Sequence, residues 1–420
     1  MPAKGLTYFG EFRAHWPNLL GATLGLALGA ALNHYMTNLF APPLIEEFGW
    51  ERSRFALVGT LGLATMVFVP VAGRFTDRFG ARIAASIGFT VVPLSFLLLS
   101  FMSGDIYEFF GITIFQHVFG VLTTTLVFSR VIVERFDRAR GMALSVVMSG
   151  APLVGAFVVP IVGVVVDAEG WRAGYRVLAA ISAAGGVAAI ALIGGRHKPD
   201  PSEPSPARPH ARITRGELIA VLKNPAFILI IAGMFFCNLP QVIVSSQLKL
   251  VLMENGAPSQ LATWMVSLYA ISVVCGRFVS GLALDRVSPQ LVAIVALGLP
   301  ALGFLALASP IEAAWLLVGA VLLVGLAQGA EGDIGAYLTS RTFDMRHYSL
   351  IYSFLIASMG LATAVGAVVL SMTLSATERF DVFLVLAAAV TVIGALCFFF
   401  TGRGSRPDIS PASTNATQAA

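Results

Sequence analysis

Charge is scarce in this chain. Only 12% of its 420 residues are Asp, Glu, Lys or Arg, while 57% are hydrophobic and the mean hydropathy is +0.82. That balance excludes an ordinary water-soluble fold, in which about a quarter of residues are charged, and makes lipid the main solvent. Cysteine is nearly absent too. Cys237, Cys275 and Cys397 all lie in apolar runs, which excludes a spaced disulfide or metal framework and leaves them as packing residues. No Walker loop, metal-ligand cluster or nucleophile constellation is present, so the sequence offers no basis for an enzyme, a cofactor or a metal.

Apolar sequence, by contrast, is abundant and comes in lengths matched to a bilayer. A spanning helix takes about 20 apolar residues, and charged or Pro-rich punctuation divides the chain into twelve such runs. Their expected bounds are 16–41, 54–76, 83–103, 108–133, 141–166 and 173–194, then 226–252, 261–284, 289–308, 312–336, 346–374 and 380–401. The expected fold class is an all-α membrane protein of twelve transmembrane helices in two pseudo-symmetric six-helix halves. Residues 1–194 make the N-terminal half, 195–222 a linker rich in Pro, Ser and basic residues, and 223–402 the C-terminal half. Residues 403–420 read as a disordered tail. The first run is too long for a cleaved signal peptide and is expected to remain as a signal anchor.

Lys and Arg set the orientation. With the N-terminus cytoplasmic, that side collects twenty of them, including Arg74, Arg78, Arg130, Arg135, Arg138, Arg140 and the basic linker, against six opposite, with Arg277 left inside a helix. Both termini are therefore expected in the cytoplasm of a multi-pass plasma membrane protein, in a bacterium the inner membrane. The net charge of +4 reports this asymmetry and not a nucleic-acid surface.

The chain also repeats itself. Gly73-Arg74-Phe75-Thr76-Asp77-Arg78 ends the second apolar run and Gly281-Leu282-Ala283-Leu284-Asp285-Arg286 the eighth, 208 positions later; Phe136-Asp137 recurs as Phe343-Asp344, 207 positions later. The stretch from Gly73 to Arg82 resembles the loop signature between helices 2 and 3 of the major facilitator superfamily, and Gly281 to Arg286 resembles its copy between helices 8 and 9. Arg135 to Ala143 running into Ser149-Gly150-Ala151-Pro152, and Phe48 to Ser53, are similar to segments of its monocarboxylate and oxalate:formate group. The resemblance covers all twelve runs and implies two halves rocking about a central cavity. Gly73 and Gly281 would permit close helix approach. Asp77 with Arg78, and Asp285 with Arg286, would form a conformational gate, a carboxylate meeting a helix N-terminus or an Arg of the opposite half.

Polar groups forced into the bilayer mark the chemistry, because an ionisable residue there costs about 2.5–3.5 kcal/mol on insertion scales and faces a cavity or a partner. Arg277 lies eight positions before Asp285, about 12 Å inside the membrane edge. The resemblance matches it to a substrate-binding Arg of the related carboxylate transporters. A guanidinium stays charged when desolvated and offers a carboxylate two parallel donors. The pattern departs from the family at Val273, where many monocarboxylate carriers have an Asp, and at Met359, where oxalate:formate antiporters have a Lys.

Glu331 and Asp333 stand two residues apart, about 200° around a helix, so they cannot both face one cavity. One is expected to face the cavity and the other a neighbouring helix or Arg277; both are candidate proton-coupling groups, and Glu331, which shares a face with Gln328, is the choice for the cavity. Polar stripes on the first and seventh runs, Asn33, His34, Thr37 and Asn38 against Asn238, Gln241 and Ser245, have the spacing of a single helix face and are expected to line the cavity. Gln116 and His117 on the fourth run add to the substrate-binding set. Pro152, Pro160 and Pro240 remove helix hydrogen bonds and can supply kinks.

These features together describe a secondary transporter of a small organic anion, a monocarboxylate given the single deep Arg, by proton symport or exchange for a counter-anion. The family implies a monomer in the lipid bilayer. An efflux pump for a neutral or amphipathic compound is the alternative within the same class. A membrane sensor lacks support in the absence of any soluble domain beyond the linker.

Overall fold

A computed structural model describes residues 7–193, 215–310, 313–343 and 348–401. Most of the linker and the whole tail, with Lys4, Asp344, Arg346, Arg403 and Arg406, lie outside the described residues. Among the described residues there are twelve spans, one of them a bent pair of helices. In the first six, α1 joins Tyr8–Leu28 to Ala30–Phe48 with a bend of 46°, followed by α2 (Arg52–Phe79), α3 (Ala81–Leu99), α4 (Ile106–Val133), α5 (Arg140–Glu169) and α6 (Trp171–Leu192). A short helix, Arg215–Leu222, precedes α7 (Pro225–Glu254), α8 (Ser259–Leu284), α9 (Pro289–Ala308), α10 (Ala314–Thr342), α11 (Tyr348–Thr377) and α12 (Asp381–Thr401).

The expected runs fall on these helices one for one, and most helices continue a few residues past the apolar stretch because their ends reach polar surroundings. The exception is the break in α1. Gly29 leaves the helical region (φ −86°, ψ −148°), and the freed Ala30 N–H is taken by Thr123 Oγ1 of α4 at 2.9 Å. Thr123 itself sits in a tightened turn of α4, Val121–Thr123. Two helix irregularities thus satisfy each other, as a medium without water requires.

Connections are short. Gly80 alone links α2 to α3 and Gly170 alone links α5 to α6, with φ of 88° and 84°, values at which a residue with a Cβ would be strained. Exposed apolar side chains such as Phe157, Ile161, Phe278 and Leu302 cover the outer surface, which suits a lipid boundary. Trp16 lies near one end of the bundle and Trp264 and Trp315 near the other, all at least half exposed, as in interfacial aromatic belts.

The distribution of the core defines the conformation. One cluster joins both halves, running from Tyr35, Leu39 and Val159 to Val242, Leu248, Tyr269 and Ala367. Toward the face where α1 begins and α12 ends, the core divides into two main clusters and a small third one of Val221, Phe227 and Ile351, none of which joins the halves. One main cluster gathers Ala72, Phe128, Phe136 and Val147, the other Met234, Leu284, Ile334 and Leu355. The halves are therefore packed together at the face away from the start of α1 (the closed face) and parted at the other (the open face).

A buried charged residue that hydropathy does not reveal joins α1 to the start of α5 at the open face. Glu11 is only 7% exposed and accepts from the N–H groups of Asp137, Arg138 and Ala139 at 3.2, 3.1 and 3.0 Å. These donors precede α5, where free N–H groups and the helix dipole favour an anion. We expect Glu11→Ala to destabilise the protein by about 1–3 kcal/mol and Glu11→Gln by less. Thermal unfolding in detergent, followed by tryptophan fluorescence, checks this; equal melting of all three proteins would disprove it.

Candidate functional site

The parted halves enclose a cavity of about 190 Å³ between α1, α2, α4, α7 and α11. Its walls include Asn33, His34 and Thr37 of α1, Thr113 and His117 of α4, Ser245 and Ser246 of α7, and Thr363 of α11, with Gly62 leaving room on α2. Its surface is mostly apolar, its polar groups are chiefly hydroxyls and imidazoles, and no lining residue carries a fixed charge. His117 is anchored by Thr65, whose Oγ1 lies 3.1 Å from Nδ1 and 3.2 Å from the His117 carbonyl. If the hydroxyl donates to the carbonyl it must accept from Nδ1–H, an assignment that leaves Nε2 as the free nitrogen. The His34 ring stands edge-on to Tyr35 at 5.0 Å and lies 6.4 Å from Tyr269 across the divide between halves.

Of the expected substrate-binding residues, Asn33, His34 and His117 meet at this cavity, and four others are placed elsewhere. Gln116 is buried, and its amide has no hydrogen-bond partner among the described residues. Asn238 donates to its own Met234 carbonyl at 2.9 Å. Gln241 turns into a cleft between α7, α9 and α10. Asn38 is engaged in the contact between halves. Thr65, Thr113, Ser246 and Thr363 escaped the sequence analysis; Thr113 was legible, standing four residues before His117 on the same helix face.

Asn38 enters α7 where the backbone departs from the α-helix. Residues Ile243–Gln247 form a π-turn. The Asn38 amide donates to Val244 O at 2.7 Å, and its oxygen accepts from Leu248 N–H, also at 2.7 Å. Val244 O and Leu248 N–H are four residues apart, the acceptor and donor of one ordinary helical bond. A side chain from the first half therefore stands between them. A second such contact joins α5 to α8. Pro160 has no N–H to offer the Ala156 carbonyl, and the Ser267 hydroxyl of α8 donates to that carbonyl instead. At the rim of the closed face, Arg52 of α2 pairs with Glu254 of α7 at 2.7 Å.

The deep charges lie on α8 and α10. Gly329 lets these helices meet backbone to backbone: a Cβ there would lie 2.8 Å from Arg277 N and closer still to the Val273 carbonyl. Arg277 Nε is 3.6 Å from Asp333 Oδ2, with side chains 24% and 44% exposed, and Tyr35 and Tyr352 lie within electrostatic range of Arg277. Tyr269, which approaches His34, is eight residues along α8 from Arg277, about 12 Å. The charged pair therefore stands on the open-face side of the aromatic group. Glu331 is 4% exposed. It does not face the cavity as the helical projection suggested, but shares with Gln328, Gln241 and Cys237 a cleft of about 30 Å³ inside the second half, space for a water. The Gln328 stripe belongs to this interior face, a distinction that periodicity cannot make.

The two loop signatures sit at the open face and, among the described residues, form no ion pair between halves. Asp77 pairs with Arg130 of α4, in its own half, and Arg130 also binds Glu134 at 2.8 Å. Arg78 stacks on its neighbour Phe79 at 5.3 Å. Among the described residues neither Asp285 nor Arg286 forms an ion pair. The close approach expected at the glycines is missing as well: nothing lies within 4 Å of a Cβ at Gly281, and only Leu126, at 4.0 Å, near one at Gly73. The reason is the parting of the halves at this face.

Comparison with known proteins agrees with this architecture. The family model described as Major Facilitator Superfamily matches residues 23–253 and 239–419. The chain is 23% identical to Monocarboxylate transporter 4 of Rattus norvegicus over 89% of this chain and 81% of that one. It is also 23% identical to the Fujikurins efflux protein of Gibberella fujikuroi over 62% of this chain, a match spanning only 54% of the relative's length. Among solved structures, the nucleoside transporter NupG is similar with a TM-score of 0.73 at 16% identity, covering 92% of this chain and 99% of that one. A bacterial homolog of the lysosomal transporter Spinster, captured inward-facing, has a TM-score of 0.70 at 15% identity, covering 94% and 97%. Twelve helices in two halves, a cavity between them and a family match to both halves lead to one conclusion: the chain belongs to the Major Facilitator Superfamily and is a membrane transporter.

Proposed function

We propose that this transporter carries a small organic anion, a monocarboxylate by preference, with a proton or in exchange for another anion. The observation that supports this is the Arg277–Asp333 pair, a deep guanidinium whose partner is 44% exposed. A substrate carboxylate has the geometry to replace Asp333 on Arg277. The displaced Asp333 then shares one cation with a second carboxylate, an arrangement relieved by taking up a proton. Coupling thus falls to Asp333, and Glu331, closed within the second half, is a wall residue. One Arg matches one carboxylate and would leave a second uncompensated. Transport proceeds by rocking of the two halves, with the basic open face in the cytoplasm of the plasma membrane, the inner membrane in a bacterium, and a monomer as the working unit.

Relatives named as efflux proteins and a cavity without fixed charge favour a second reading, export of a neutral or amphipathic compound. Uptake of labelled monocarboxylates into proteoliposomes, with and without an inward proton gradient, separates the two. Gradient-stimulated uptake supports the first, and its absence for every acid in well-folded protein rejects it.

Two variants test the assignment. Arg277→Ala is expected to lower uptake at least about 30-fold by leaving the substrate charge unpaired, and Arg277→Lys, which lacks the fork, to restore only part of it. Uptake by Arg277→Ala within twofold of wild type would remove Arg277 from the site. Asp333→Asn is expected to keep exchange and lose stimulation by the gradient, whereas Glu331→Gln keeps both; the reverse pattern would move coupling to Glu331.

A further inference from the structure

We infer that Asn38 is a positioning residue that ties assembly of the cavity wall to closure of the opposite face. Its carboxamide fills the gap in α7 between Val244 O and Leu248 N–H, both at 2.7 Å, and so stabilises the π-turn at Ile243–Gln247. A π-turn is an α-helix with one residue inserted, and the insertion rotates everything beyond it by about 100°. In this setting two consecutive residues, Ser245 and Ser246, both reach the cavity, which side chains 100° apart on a regular helix do less readily.

When the halves part at the closed face, Asn38 leaves with the first half. Val244 O and Leu248 N–H, four residues apart on one helix, can then pair with each other as an ordinary helical bond. The turn reverts to α-helix, one serine rotates out of the wall, and the binding surface is changed by the same movement that opens it. Asn38 is 1% exposed, and the residues beside it in the contact, Val244 and Leu248, are each 2% exposed, so no solvent competes for these bonds while the face is shut. This coupling holds whatever molecule the cavity carries.

The test reads the closed face directly. Spin labels at Ala168 of α5 and Ala376 of α11, exposed positions on opposite halves at that face, report its width by pulsed electron resonance in the full-length protein, with its three cysteines first replaced by serine. In Asn38→Leu, similar in size but unable to make either bond, the equilibrium is expected to shift toward the wide distance by roughly 10- to 30-fold, the worth of two neutral hydrogen bonds. Asn38→Asp, which keeps the acceptor for Leu248 and loses the donor to Val244, is expected to shift in the same direction, and it carries the test if the Leu variant fails to fold.

The decisive arm deletes Ser245. With the inserted residue gone, α7 needs no side chain in the gap, so Asn38→Leu in that background should leave the distance distribution unchanged. A merely structural role for Asn38 would not be cancelled by shortening another helix. Unchanged distances in both single variants would overturn the inference, as would an Asn38→Leu shift that survives in the deletion background.

Discussion

The backbone hydrogen bond that cannot be left open in lipid governs this structure. Wherever a helix is interrupted, an unpaired N–H or C=O must find a partner without help from water, at a cost of several kcal/mol if it fails. Gly29 frees Ala30 N–H and Thr123 takes it; Pro160 frees the Ala156 carbonyl and Ser267 takes it; the π-turn separates Val244 from Leu248 and Asn38 takes both. The first repair lies within one half. The other two cross between halves, so the same constraint that shapes single helices also joins the two bundles.

This division gives the transporter its asymmetry. At the closed face one hydrophobic core spans both halves and neutral, directional bonds set their register. At the open face the cores separate, and the charged groups, Glu11 with the start of α5 and Asp77 with Arg130, bind elements of the same half to one another. Those contacts brace the first half at this face. Helices packed in this way shift as units.

Much of this was legible in the sequence, and the limits have physical causes. The twelve spans follow from apolar length, and the duplication from the repeated Gly-x-x-x-Asp-Arg ends. Arg277 and Asp333 are conspicuous because charges in apolar runs demand partners, and the structure places them together. Projection around a helix fails at Glu331: it fixes the angle between two residues but not which face of α10 meets the cavity and which the interior of its own half. It fails differently at Asn38, whose polar stripe marks a contact with backbone. A donor or acceptor exposed by an irregular helix leaves no trace in residue type, and the π-turn in Ile243–Gln247 has no glycine or proline of its own to announce it. Glu11 lies outside the apolar runs, where hydropathy carries no information.

The seam between halves has a further property. Asn38 and Ser267 are neutral and buried, so dissolved ions neither screen nor compete with them, whereas the Arg52–Glu254 pair at the rim, with its arginine 42% exposed, weakens as ionic strength rises. The lifetime of the sealed state is therefore set mainly by the protein's interior and only trimmed by the medium beyond the rim. A carrier sealed in this way keeps its barrier to leakage when the salinity outside changes.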